Sequence, residues 1–131
     1  MPTIEAFSHV TLTVRDLESS VAWYARALGM TRGPDMSGPG WRRTLMLAAG
    51  GVVIGLQAHD RTPEGDRFDE TRVGLDHLSI ACKDRAEIEE WIAELDGAGL
   101  AHSTLSAAPA NVATCRDPDG IAIEFFAPRG A

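Results

Sequence analysis

The chain lacks the materials for several kinds of protein. It has two cysteines in 131 residues, Cys82 and Cys115, with no CxxC spacing. That excludes a multi-bridge disulfide scaffold and a cysteine-rich zinc site, and predicts buried free thiols in a reducing compartment. No basic run of five or six residues occurs, and the formal net charge is −7, with a pI near 4.9. An acidic surface argues against nonspecific nucleic-acid binding and against docking on anionic membrane. The longest uncharged apolar stretch, Leu45 to Leu56, is broken by Gly50-Gly51 and is too short to span a bilayer. Residues Met1 to Glu5 show neither a charged n-region nor an apolar h-region, so a cytoplasmic location is expected. Three Trp, one Tyr and four Phe are few for a pocket that stacks flat drug molecules.

What is present is an ordinary apolar fraction, 44%, in a chain long enough for one domain with a real core. A shift of 68 residues places His9 on His77, Asp16 on Asp84, Trp23 on Trp91, Ala25 on Ala93 and Gly29 on Gly97. Leu12 then meets Ile80, and Arg15 meets Lys83. One supersecondary unit is therefore made twice, each copy opened by a histidine.

In the first copy, Ile4 to Val14 reads as a strand, with Val10, Leu12 and Val14 alternating against His9, Thr11 and Thr13. Asp16 caps a helix whose stripe is Leu17, Val21, Tyr24, Ala25 and Leu28, and Gly29 ends it. Thr31 to Gly40 reads as a loop, Trp41 to Leu47 and Val52 to Gln57 as strands, and residues 60–74 as a solvated connector. The second copy repeats the plan. Leu75 to Cys82 is a strand, and Asp84 with Glu87 forms a capping box. Ile88, Trp91, Ile92 and Leu95 make the helical stripe. Asn111 to Arg116 is a strand, Asp117-Pro118-Asp119-Gly120 a tight turn, and Ile121 onward the last strand. The expected class is α+β: two modules, about 4–59 and 75–128, whose sheets carry helices outside and curve together around a cavity inside.

Alternation puts Glu124, His9 and His77 on the cavity faces of their strands. Imidazoles and a carboxylate that converge suit a metal site or acid/base chemistry equally. Arg42 and Arg43 follow Trp41 in a strand, so one of them points inward, where it would hold an anionic group; a surface salt bridge is the alternative. Arg42, Trp41, Phe126 and His59 are the candidate substrate contacts, with Met46 a possible wall. His102 is assigned no role.

FSHVTLTVRDLESSVAWYARALGM, GLDHLSIACKDRAEIEEWIAEL and RDPDGIAIEFF resemble the vicinal oxygen chelate superfamily, which includes glyoxalase I, bleomycin-resistance proteins, fosfomycin-resistance enzymes and extradiol dioxygenases. The resemblance implies paired βαβββ modules forming an open barrel-like mixed sheet, usually in a homodimer, and a metal ligand on the first and last strand of each module. Carried over, it implies His9, His77 and Glu124 as ligands. The fourth position falls on Gly55, which offers no side chain. Gln57 or His59, two and four residues further along the same face, would replace it, or the site keeps three ligands. Three would make the two-histidine, one-carboxylate set of non-haem iron oxygenases, and four would suit Zn, Ni, Co or Mn.

Two functions follow. One is a small metalloenzyme, a glyoxalase-like lyase or isomerase or a dioxygenase. It would act on a small molecule with neighbouring oxygens, with Glu124 also serving as base. The other is a metal-free antibiotic or natural-product binding protein of the bleomycin-resistance type.

Overall fold

A computed structural model describes residues 1–131, which form two compact units, Met1–Asp66 and Arg67–Ala131. No helix is long and apolar enough to cross a membrane.

The first unit holds β1 (Val10–Thr13), α1 (Leu17–Leu28), β2 (Thr31–Gly38), β3 (Trp41–Leu47) and β4 (Val53–His59), with sheet order β1-β4-β3-β2. β1 runs parallel to β4, and the other pairs are antiparallel. The Asp16 carboxylate accepts the Ser19 N–H at 2.7 Å to start α1, and Gly29, at φ 63°, ends it in the left-handed region. Leu17, Val21, Tyr24, Ala27 and Leu28 are buried, and the helix packs on β3 and β4. Ala27, not Ala25, completes the stripe. Leu12, Met46, Ile54 and Leu56 form the sheet's side of this core. Met46 is therefore a core residue, not a cavity wall.

Two expectations about this unit are corrected. The opening strand is short: residues 4–8 are exposed and unpaired, because β1 pairs only with β4 and that register starts at Val10 opposite Ile54. The segment from Thr31 is not a loop but an edge strand. Its register with β3 shifts between Arg32 and Asp35, where Gly33-Pro34 lies, so the proline sits at an edge irregularity where its missing N–H costs no ladder bond. Gly38 is required there, since a Cβ would come within 2.6 Å of the Trp41 indole.

The second unit holds β5 (Leu78–Ala81), α2 (Arg85–Gly97), β6 (Asn111–Arg116) and β7 (Ala122–Ala127), with sheet order β5-β7-β6. The Asp84 carboxylate accepts the Glu87 N–H, and Glu87 reaches back to the Lys83 N–H at 2.6 Å. The box thus closes one residue earlier than the usual form. Ile88 and Leu95 are fully buried, and Trp91 stacks on Phe125 with ring centroids 5.1 Å apart. The Asp117 carboxylate accepts the Asp119 and Ile121 N–H groups, both at 2.9 Å, shaping the turn before β7. The connector's later part packs here as well: Phe68 N–H donates to the Asp119 carbonyl, and Glu70 holds Arg116 at 2.6 Å.

This unit lacks a full counterpart of β2. The corresponding segment meets β6 through isolated bridges from His102 to Cys115 and from Ser106 to Val112, and the Ser103 hydroxyl accepts the Thr114 N–H at 2.9 Å. His102 anchors that segment to α2. Its Nδ1 lies 2.6 Å from the Ser103 carbonyl and its Nε2 lies 2.7 Å from Asp96. Both ring nitrogens face acceptors, and a neutral ring can donate to only one of them. The Ser103 carbonyl first, and then Asp96, hold its pKa above the ordinary value. A raised folded pKa stabilises fully below the unfolded value of about 6.5, and the contribution is lost as pH rises through the folded value. His102→Ala should therefore lower unfolding stability more at about pH 5.5 than at about pH 8.5. The difference should be at most about 1 kcal/mol, since the pair is partly solvated. Equal losses in urea melts at the two pH values would count against this anchor.

Candidate functional site

Each unit presents one sheet face to its helix and leaves the other free of it. In β7 of the second unit the side chains of Ile123 and Phe125 point into the core, fully buried, so Glu124 between them must point to the free face. Glu124 sits opposite Ser79 in the β5–β7 register and accepts its hydroxyl at 2.8 Å. His77 lies one residue before β5. Its Nδ1 is 2.7 Å from Asp76 Oδ1, and its Nε2 is 3.7 Å from Glu124 Oε1. The Asp76 hydrogen bond is the main cause that raises the His77 pKa, with the Glu124 charge adding to it against partial desolvation. The Glu124 side chain is 17% exposed and that of His77 43% exposed, so both remain open to a small ligand.

The first unit repeats half of this arrangement. His9 lies one residue before β1, and its Nδ1 is 2.9 Å from the Ser8 hydroxyl. In both copies the preceding residue's side chain engages Nδ1, and Nε2 makes no hydrogen bond. Neither Ser8 nor Asp76 was singled out from the sequence, although each sits directly before its histidine.

The register also decides which residue of β4 corresponds to Glu124. Thr11 pairs with Gly55 as Ser79 pairs with Glu124, and the repeat offset carries Thr11 onto Ser79. Gly55 therefore occupies the carboxylate's position. A Cβ built there would lie 2.6 Å from Thr11 Oγ1, so the Thr11 side chain fills the space.

Gln57 is one pleat further along, 9% exposed and already engaged. Its Oε1 accepts from Arg43 Nε at 2.7 Å, and its Nε2 lies 3.2 Å from His59 Nε2. Arg43 also lies over the Trp41 ring at 5.1 Å. Trp41, Arg43, Gln57 and His59 thus form one cluster on this face. Arg42, the arginine expected there, stands on the helix face with Thr44 and Met46. Strand alternation puts it there, and its charge acts on Asp16, the cap of α1, and on Glu18. It lines a cleft of about 250 Å³ with Leu17, Arg32, Asp35, Met36, Ser37 and Arg43. Arg32 in that cleft is held by Glu18 and Asp35. Phe126 is 38% exposed, on the Glu124 side of β7. Within neither unit do three His, Cys, Asp or Glu side chains gather as a metal-holding group.

A profile of the Glyoxalase/Bleomycin resistance protein/Dioxygenase superfamily matches residues 6–125, nearly the whole chain. The chain belongs to this superfamily, the vicinal oxygen chelate proteins. Among solved structures it is similar to a glyoxylase/bleomycin resistance protein/dioxygenase domain from Frankia sp. EAN1pec. That domain is 34% identical with a TM-score of 0.88, over 98% of this chain and 96% of the other. A glyoxalase family protein from Enterococcus faecalis is 20% identical, with a TM-score of 0.78 over 94% of this chain and 98% of that one. A mutant of the fosfomycin resistance protein FosX of Listeria monocytogenes was solved with Mn(II) and 1S,2S-dihydroxypropylphosphonic acid. It is 19% identical, with a TM-score of 0.69 over 98% of this chain and 94% of that one. The last two likenesses concern the vicinal oxygen chelate fold alone. No protein of curated function matches the chain.

Proposed function

We propose that this vicinal oxygen chelate protein is a metal-dependent enzyme acting on a small molecule with neighbouring oxygens. The observation that carries the reading is the Asp76–His77–Glu124 arrangement. A carboxylate fixes one imidazole nitrogen, and the other nitrogen stands 3.7 Å from a second carboxylate. That is the donor chemistry and outer-shell support of a divalent metal site. His77 and Glu124 are the proposed ligands from the second unit, and His9, oriented by Ser8, the proposed ligand from the first. Gln57 is the weaker fourth donor, because Arg43 already occupies its oxygen.

A bound divalent ion supplies Lewis acidity toward a chelating substrate oxygen. Glu124, held through Oε1 by Ser79, keeps its second oxygen to accept a substrate proton. The reaction class is a glyoxalase-like lyase or isomerase step, or a dioxygenase step if the metal is iron.

A second reading, the metal-free binding protein of the bleomycin-resistance type, draws on one observation: Thr11 fills the space where the first unit would carry its carboxylate.

Elemental analysis of protein purified without chelator or affinity-column metal separates the two. One divalent ion per chain, lost in a folded His77→Ala variant, is the expected result. Iron would indicate dioxygenase chemistry, and Zn, Ni, Co or Mn a lyase or isomerase. Metal retained in His77→Ala would refute the assignment, and no metal even after reloading would favour the binding protein. A homodimer is part of the proposal, with His9 of one chain meeting His77 and Glu124 of the other. A metal-replete monomer on a sizing column would exclude that arrangement.

A further inference from the structure

The Arg43 cluster is not explained by metal binding. Arg43 is half-buried on the free face of the first unit. It uses Nε alone, donated to Gln57, and its two terminal nitrogens meet no carboxylate. In a chain with 19 acidic residues and 12 basic ones, the other arginines with close partners show a different pattern. Arg32, Arg72, Arg85 and Arg116 each pair with a carboxylate. Arg43 is held instead by neutral groups on two sides, the Gln57 amide and the Trp41 ring. Gln57 is itself fixed against His59. A guanidinium immobilised by neutral partners, with its fork left free, is built to meet an oxyanion in two parallel hydrogen bonds. Arg32, Arg72, Arg85 and Arg116 are neutralised by a side chain, and Arg43 is not.

We propose that this face is an anion-recognition site. Arg43 binds the carboxylate, phosphate or phosphonate group of a small molecule, and Gln57 is its positioning residue. The inference deepens the proposed enzyme reading, since it assigns an anionic class to the same substrate. It also accounts for the weakness of Gln57 as a metal donor: its oxygen holds the receptor in place.

The test is calorimetric titration with methylphosphonate, inorganic phosphate and acetate at constant ionic strength, in the presence of EDTA. Working without metal separates this proposal from the metal reading, which can fail independently. Saturable binding is expected, and the ranking of the three probes tells phosphorus oxyanions from carboxylates. Arg43→Met should weaken binding about ten- to hundredfold, the scale of a charge-assisted pair. Arg43→Lys keeps the charge without the fork and should weaken it less. Gln57→Glu is the decisive variant. It preserves the contact to Arg43 but neutralises the guanidinium from within, so anion binding should be lost while the thermal melt is unchanged or raised. Undiminished binding in Gln57→Glu or Arg43→Met, or no saturable binding in the wild type, would overturn the proposal.

Discussion

Phe125→Ala is expected to destabilise the second unit by about 3–5 kcal/mol, lowering the melting temperature by about 10–20 °C. Phe125 has no exposed surface, pairs with Ile80 across the β5–β7 ladder and stacks on Trp91 of α2. Truncation removes the ring from a site closed by strand and helix alike, so a cavity remains that neither can collapse to fill. The consequence reaches the site. Phe125 and Ile123 are the residues whose burial makes Glu124 face outward, and a one-residue slip of β7 would bury the carboxylate instead. A shift in melting temperature below about 3 °C would show that Phe125 is not a keystone of this core.

Gly55→Ala is the second large effect, about 1–3 kcal/mol of destabilisation from overpacking. The new Cβ would meet Thr11 Oγ1 at 2.6 Å and Thr11 Cγ2 at 3.2 Å. Threonine on a strand has few rotamers into which to retreat. Thr11→Ala should relieve the clash, so the double variant should recover most of the lost stability, and a double-mutant cycle should show strong coupling. Additive losses would mean that Thr11 is not what excludes a side chain at position 55. If the coupling holds, Gly55→Glu combined with Thr11→Ala should raise divalent-metal affinity over that of the wild type, because it supplies the donor that the first unit lacks.

These two positions also show how much of the molecule was legible in the sequence. The 68-residue repeat, both N-caps, the Gly29 terminus, the β3 limits and the alternation of β7 follow from chemistry acting within a few residues. So does the correspondence of Gly55 with Glu124, because each lies a fixed distance along a strand. The edge strand β2 did not show, since Gly33-Pro34 carries a loop's composition and only pairing with β3 makes it a strand. Arg42 was expected where Arg43 stands, for a similar reason. Alternation says that they diverge, but it does not say which face the helix covers.

The sequence by itself determined the two-module plan and the alternation that turns Glu124 away from the helix, because periodicity, caps and turns are local, and its motifs carried the resemblance to the family. Tertiary structure alone decided which atoms meet. Asp76 and Ser8 engage the histidines, Ser79 holds Glu124, and Gln57 reaches Arg43 across a ladder. The last two contacts join residues 45 and 14 positions apart. Strand register brings such groups within hydrogen-bonding distance, and register is set by the burial of whole faces, not by the residues that bond.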